Sequence, residues 1–152
     1  MEIQALSGVT GVFKTCVITQ GTGATTSFAA CEYAIDGMAV VAGAQSNVAG
    51  LAAAVQASGT TCAYLYQIDA DENISVIKGD EVVTPVAAPS ESTPPTVPSA
   101  GVQWPAPTAG NCALGGMILV ATAAFTHGTT VQGTQDTLYS FLGGVPGRPK
   151  VS

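Results

Sequence analysis

His127 is the only histidine in the chain, so any mechanism in which an imidazole activates a serine or cysteine must pass through it. It stands between Thr126 and Gly128 in a Gly/Thr-rich stretch, with no nucleophile elbow nearby. The expectation is a solvent-facing or hydrogen-bonded loop histidine, not a catalytic base. Asp69, Asp71 and Asn73, with Asp80 eleven positions after Asp69, echo the spacing of a calcium loop. Such a loop needs glycine at its sixth position for a sharp turn, and Ile74 stands there instead. A solvated acidic turn without a metal is expected. Asn73-Ile74-Ser75 fits the glycosylation pattern, which matters only in a secreted chain. There is no Gly-x-Gly-x-x-Gly and no Walker lysine. These residues assign no catalytic, cofactor-binding or metal site.

Cys16, Cys31, Cys62 and Cys112 lie far apart, each within an apolar strand-like run, and no Cys-x-x-Cys pair supports zinc. Met1-Glu2-Ile3 lacks a basic n-region and an apolar h-region, so no signal peptide is expected. Without export, the cysteines are expected to be reduced core residues.

The elements that must position these groups read as strands. Thr60 to Gly79 is the clearest hairpin: Cys62, Tyr64, Tyr66 and Ile68 alternate with Ala63, Leu65 and Gln67, then Asp69 to Asn73 turns and Ile74 to Lys78 returns. Both faces of the outgoing strand are largely apolar, which demands cover on both sides. Thr25 to Ile35 alternates as a single strand, Asp36-Gly37 suits a type I′ turn, and Met38 to Gly43 returns. Lys14 to Thr19, Cys112 to Ala124 and Thr137 to Leu142 are further strand candidates. Gln45 to Ala57 is read as a loop with a helical turn behind Ser46, because Val48, Leu51, Ala52 and Val55 fit a helical stripe, although the Ala-rich run could equally edge a sheet.

Thr84 to Thr108 holds seven of the nine prolines and is expected to be an extended connection, pinned by Trp104. Residues 1–152 then form one all-β domain, an antiparallel β-sandwich of jelly-roll type. It has an N-terminal arm (1–13), which could also be a weak first strand, the Pro-rich connection (84–108) and a C-terminal tail (143–152).

Composition bounds the partners. The net charge of −6 rests on ten acids against four Lys and Arg residues, which leaves no basic patch for nucleic acid. The apolar runs Met38 to Ala44, Ala49 to Val55 and Met117 to Phe125 fall short of the roughly 20 residues that span a bilayer, so no membrane is expected. Only 9% of residues are charged and 47% are hydrophobic, so subunits are expected to cover one another's neutral surface. Trp104 with Pro105 and Pro107 is the expected anchor on a neighbouring subunit, because rigid groups lose little entropy on docking.

The order of these segments resembles the structural virion proteins of tailed double-stranded DNA phages, namely head decoration (cement) and fibre-like proteins. The matching pieces are Tyr33-Ala34-Ile35-Asp36-Gly37, Gln67-Ile68-Asp69-Ala70 with Val76-Ile77-Lys78-Gly79, the Pro-rich connection, Leu114-Gly115-Gly116-Met117-Ile118-Leu119-Val120, and Phe125-Thr126-His127-Gly128-Thr129-Thr130. The resemblance implies a non-enzymatic homotrimer without cofactors. Made in the host cytoplasm, it would bind the major capsid protein on the outside of the virion. Attachment would fall to the arms, with Ile3 and Phe13 in one and Pro146 and Arg148 in the other. The alternative is a fibre or tail module that binds a host receptor or glycan. That reading wants aromatics clustered in loops, whereas Tyr33, Tyr64 and Tyr66 fall inside strands.

Overall fold

The computed structural model describes residues 8–83, 101–131 and 136–141. Among these the chain is all-β: β1 (Gly11–Lys14), β2 (Ile18–Gln20), β3 (Thr26–Phe28), β4 (Cys31–Ile35), β5 (Met38–Ala42), β6 (Gln45–Val48), β7 (Thr60–Ile68), β8 (Ile74–Lys78), β9 (Val82–Val83), β10 (Cys112–Ala121) and β11 (Asp136–Ser140). Every pairing between strands is antiparallel.

The first six strands form two small sheets, β1-β4-β5 and β2-β3-β6. Their registers show that they are halves of one object. Lys14 lies opposite Glu32 and Ile18 opposite Phe28, so the pairing resumes beyond the break without a slip. Cys31 opposite Ala42 and Phe28 opposite Gln45 carry the third strand across in the same way. Inside the break, Ala29 N still donates to Val17 O at 2.9 Å. The result is a three-stranded meander bent at its middle. The runs expected as single strands, Thr25 to Ile35 and Lys14 to Thr19, are each divided by that bend.

Asp36 (φ 48°) and Gly37 (φ 83°) both take positive φ, as a type I′ turn requires, and close the β4–β5 hairpin. The expected N-terminal arm is shorter than residues 1–13, because Gly11–Lys14 pairs with β4. The helical turn expected between Gln45 and Ala57 is absent. Asn47 has φ 53°, its N–H donates to Ser27 Oγ at 3.0 Å, and its Oδ1 accepts from Thr22 N at 2.8 Å. These local bonds to β3 and to the β2–β3 turn compete with a helical ladder.

The larger sheet has the order β11-β10-β7-β8, with β9 also paired to β7. Every residue of β7 and β10 is buried. On one face Cys62, Tyr64, Tyr66, Ile68, Leu114, Met117 and Leu119 meet Val12, Ile18, Phe28, Tyr33 and Ile35 of the meander, the main core. On the other, Ala63, Leu65, Ala113 and Ile118 are covered by Val102, Trp104 and Phe141. The end of the Pro-rich connection thus supplies the second cover that the two-faced strand demanded. Gly115 and Gly116 make both approaches possible: a Cβ on Gly115 would stand 2.4 Å from Ile18 Cδ1, and one on Gly116 2.2 Å from Trp104 Cζ3.

All-β class and antiparallel pairing are as expected, but jelly-roll order does not occur among these pairings. β10 stops at Ala121, short of the expected Ala124, because Phe125 turns back to pair with Gln56. β11 starts at Asp136 and ends at Ser140, one residue before its expected start and two before its expected end. Most of the Pro-rich connection lies outside the described residues.

Candidate functional site

A concentration of buried polar groups lies between the layers. Two tyrosines of β7, Tyr64 and Tyr66, point into the main core, and each hydroxyl needs a partner there. Gln56 serves the first. Its backbone pairs with Phe125 (N to O 2.8 Å, and 3.0 Å in return), its Nε2 donates to Thr60 O at 3.0 Å and Leu119 O at 3.2 Å, and its Oε1 accepts from Tyr64 Oη at 3.0 Å.

His127 serves the second, with its ring packed against Tyr64, Tyr66 and Phe125. Its Nδ1 lies 2.6 Å from Leu51 O, and a carbonyl only accepts, so Nδ1 carries the proton. Nε2 therefore accepts from Tyr66 Oη at 2.8 Å, with Thr26 Oγ1 3.5 Å from the same hydroxyl. Gly128 (φ 79°) admits the approach to Leu51: a Cβ there would stand 2.8 Å from Leu51 O.

His127 is thus a hydrogen-bonded histidine and not a solvent-facing one, at 0% exposure. Burial holds its pKa below the ordinary histidine value, so it stays neutral. Its lone pair is committed to Tyr66, and the group clamps the segments around Leu51 to Gln56 and Phe125 to His127 onto the sheet. Gln56, Tyr64 and Tyr66 as partners were missed by sequence reasoning. The available signal was the pair of tyrosines on an apolar strand face, whose hydroxyls must be satisfied inside.

The acidic turn is closed on itself. Asp69 Oδ1 accepts from Asp71 N and Asn73 N, both at 2.9 Å, and Oδ2 from Asn73 Nδ2 at 3.0 Å. Those bonds, led by the Asn73 side chain, lower the Asp69 pKa. Tyr33 Oη donates to Asp69 O at 2.7 Å, and Gln45 Nε2 to Glu72 O at 2.9 Å, so the turn ties the meander to the larger sheet. Asp80 stands apart, beyond β8. No group of three or more metal-binding side chains occurs among the described residues.

Among the described residues, the expected interface residues fall in two places, with Phe13 on β1 and Trp104, Pro105 and Pro107 at the end of the Pro-rich connection. Trp104 is 8% exposed and packs edge-on against Tyr139 and Phe141. It pins the connection to its own chain's sheet, which corrects the expectation of an anchor offered to a neighbour. Its Nε1 has no hydrogen-bond partner. Pro105 and Pro107 beside it are half-buried. Phe13, 46% exposed, stands on β1 of the meander and belongs to neither core cluster. Ile3, Pro146 and Arg148 lie outside the described residues.

Phe13 has apolar company. Val17 (55%) and Val41 (72%) are exposed on the meander, with Glu32 between Lys14 and Val41 in the register. Compared with protein-family models, curated proteins and solved structures, the chain matches none.

Proposed function

We propose that the chain is a capsid decoration protein, a homotrimer that binds the outer surface of a phage head and stabilises the shell without catalysis. The observation that carries this reading is the outward side of the meander, where Phe13 at the register shift of β1, Val17 in the break between β1 and β2, and Val41 on β5 stand exposed. Exposed apolar side chains interleaved with only Lys14 and Glu32, on a chain with few charges, suit permanent contact with another protein surface. The spent hydrogen-bonding capacity of His127 supports a structural role for the one imidazole. Threefold assembly follows from the phage resemblance, not from any spacing in the fold.

The test is subunit number by light scattering, followed by cryo-electron microscopy of purified particles. Three copies of the meander-on-sheet fold at junctions between capsomers are expected. Density on a tail fibre would move the protein to the receptor- or glycan-binding alternative. A stable monomer that does not bind shells would overturn the decoration reading.

A further inference from the structure

We propose that Cys16 and Cys31 are a disulfide-forming pair, a modification site at which a peroxide staples the bend of the meander. Cys16 lies in the break between β1 and β2, and Cys31 opens β4 just after the matching break in the neighbouring strand. The common register of Lys14 with Glu32 and Ile18 with Phe28 sets Cys16 across from Ala30, one residue from Cys31. In a regular ladder, residues so placed would point to opposite faces. Here the bend turns both sulfurs into the same main core, at 1% and 2% exposure, so the two thiols lie side by side across neighbouring strands. Cys16 Sγ also lies 3.2 Å from Ala29 O.

The other two cysteines have different surroundings. Cys62 Sγ lies 3.2 Å from Gly79 O, and Cys112 Sγ 3.8 Å from Ala113 O. Burial pushes each of these thiols up to about 11. Cys16 and Cys31 instead act on each other unequally, which lowers the pKa of Cys31 and raises that of Cys16. Cys31 is therefore the nucleophile and Cys16 the resolving thiol.

The oxidant is hydrogen peroxide, small enough to reach a nearly buried sulfur. The Cys31 thiolate attacks one peroxide oxygen, the O–O bond breaks, and the departing hydroxide takes up a proton to leave as water. Cys31 is then a sulfenic acid. The Cys16 sulfur gives up its proton and attacks Cys31 Sγ, and the S–O bond breaks with loss of a second water. Two thiols and one peroxide yield one disulfide and two waters. The bond closes a short loop around the β2–β3 hairpin, which restrains the unfolded chain.

The experiment exposes the intact protein to a small excess of hydrogen peroxide, quenches, alkylates under denaturing conditions, and maps the peptides without reduction. A Cys16–Cys31 linked peptide is expected, with Cys62 and Cys112 alkylated. The melting temperature should rise by roughly 5–10 °C and fall back after dithiothreitol. In Cys16→Ser, dimedone should trap a sulfenic acid on Cys31 and no linked peptide should form. A Cys31–Cys112 link, four alkylated thiols, or sulfinic acid on Cys31 without a cross-link would overturn the pair. A linked protein that melts no higher would overturn the staple.

Discussion

The two layers of this molecule solve the problem of an apolar strand in opposite ways. In the larger sheet, β7 and β10 are buried on both faces, by the meander on one side and by Val102, Trp104 and Phe141 on the other. The meander is buried on one face only, and its other face shows Phe13, Val17 and Val41 to solvent. The chain covers its central strands with its own residues and leaves the outer strands uncovered. Stability should therefore reside in the larger sheet and association on the meander. Substitutions in the two layers should separate those properties.

The sharpest test of the first half is Trp104→Ala. The side chain fills the space above Gly116 and packs against two aromatic rings, so its loss leaves a cavity that the backbone at Gly116 cannot close. A destabilisation of about 3–5 kcal/mol is expected in urea unfolding. A loss of association with unchanged stability would return Trp104 to the role of a neighbour's anchor and break the comparison.

Tyr66→Phe should cost less. It removes the hydroxyl that His127 Nε2 accepts from and leaves the ring contacts with Phe28 and His127 in place. About 1–3 kcal/mol is expected, since a buried polar group loses a partner it cannot replace from water. Unchanged stability would mean that the network fills space and does not clamp the loops.

His127 also gives the larger sheet a pH signature. Its folded pKa is depressed, so the folded state resists a proton that the unfolded chain accepts near the ordinary value of 6.5. Its contribution is complete above pH 6.5 and is lost as pH falls through the folded value. Melting temperature should begin to drop below about pH 6.5, ahead of the carboxylate range in which Asp69 and Glu81, both also depressed, are protonated. In His127→Gln the early drop should vanish and the later one remain.

Legibility in the sequence divided along the same line. Alternation in Cys62 to Ile68 showed that β7 has two apolar faces, and the need for a second cover followed before its source was known. Asp36-Gly37 announced its turn because positive φ at both positions is a local requirement. The bend of the meander was hidden, because Thr25 to Ile35 keeps an unbroken alternation through the residues where pairing stops.

Trp104 shows a different limit: an aromatic among prolines looks the same whether it pins its own sheet or a neighbour's. The deciding residue is Gly116, because glycine inside a buried central strand marks close approach from above. The Tyr66–His127 bond joins residues 61 apart in sequence, beyond the reach of any local pattern.

The smallest effect on stability, and the most informative about assembly, belongs to Val41→Lys. Val41 is 72% exposed on β5, lies opposite Glu32 in the register and has no part in either core cluster. A lysine there loses little burial in the isolated subunit and gains a cross-strand acid, so unfolding should shift by no more than about 0.5 kcal/mol. If the outer face of the meander is where copies meet, the same lysine must be taken out of water against an apolar surface on assembly, and desolvating that charge costs more than the methyl groups it replaced contributed. Light scattering at matched concentration should then report a smaller particle with an unchanged urea midpoint. An unchanged particle would clear the meander face of any part in association. A lowered midpoint with an unchanged particle would mean that this face contributes to the fold of the single chain, and the division of labour between the two layers would be wrong.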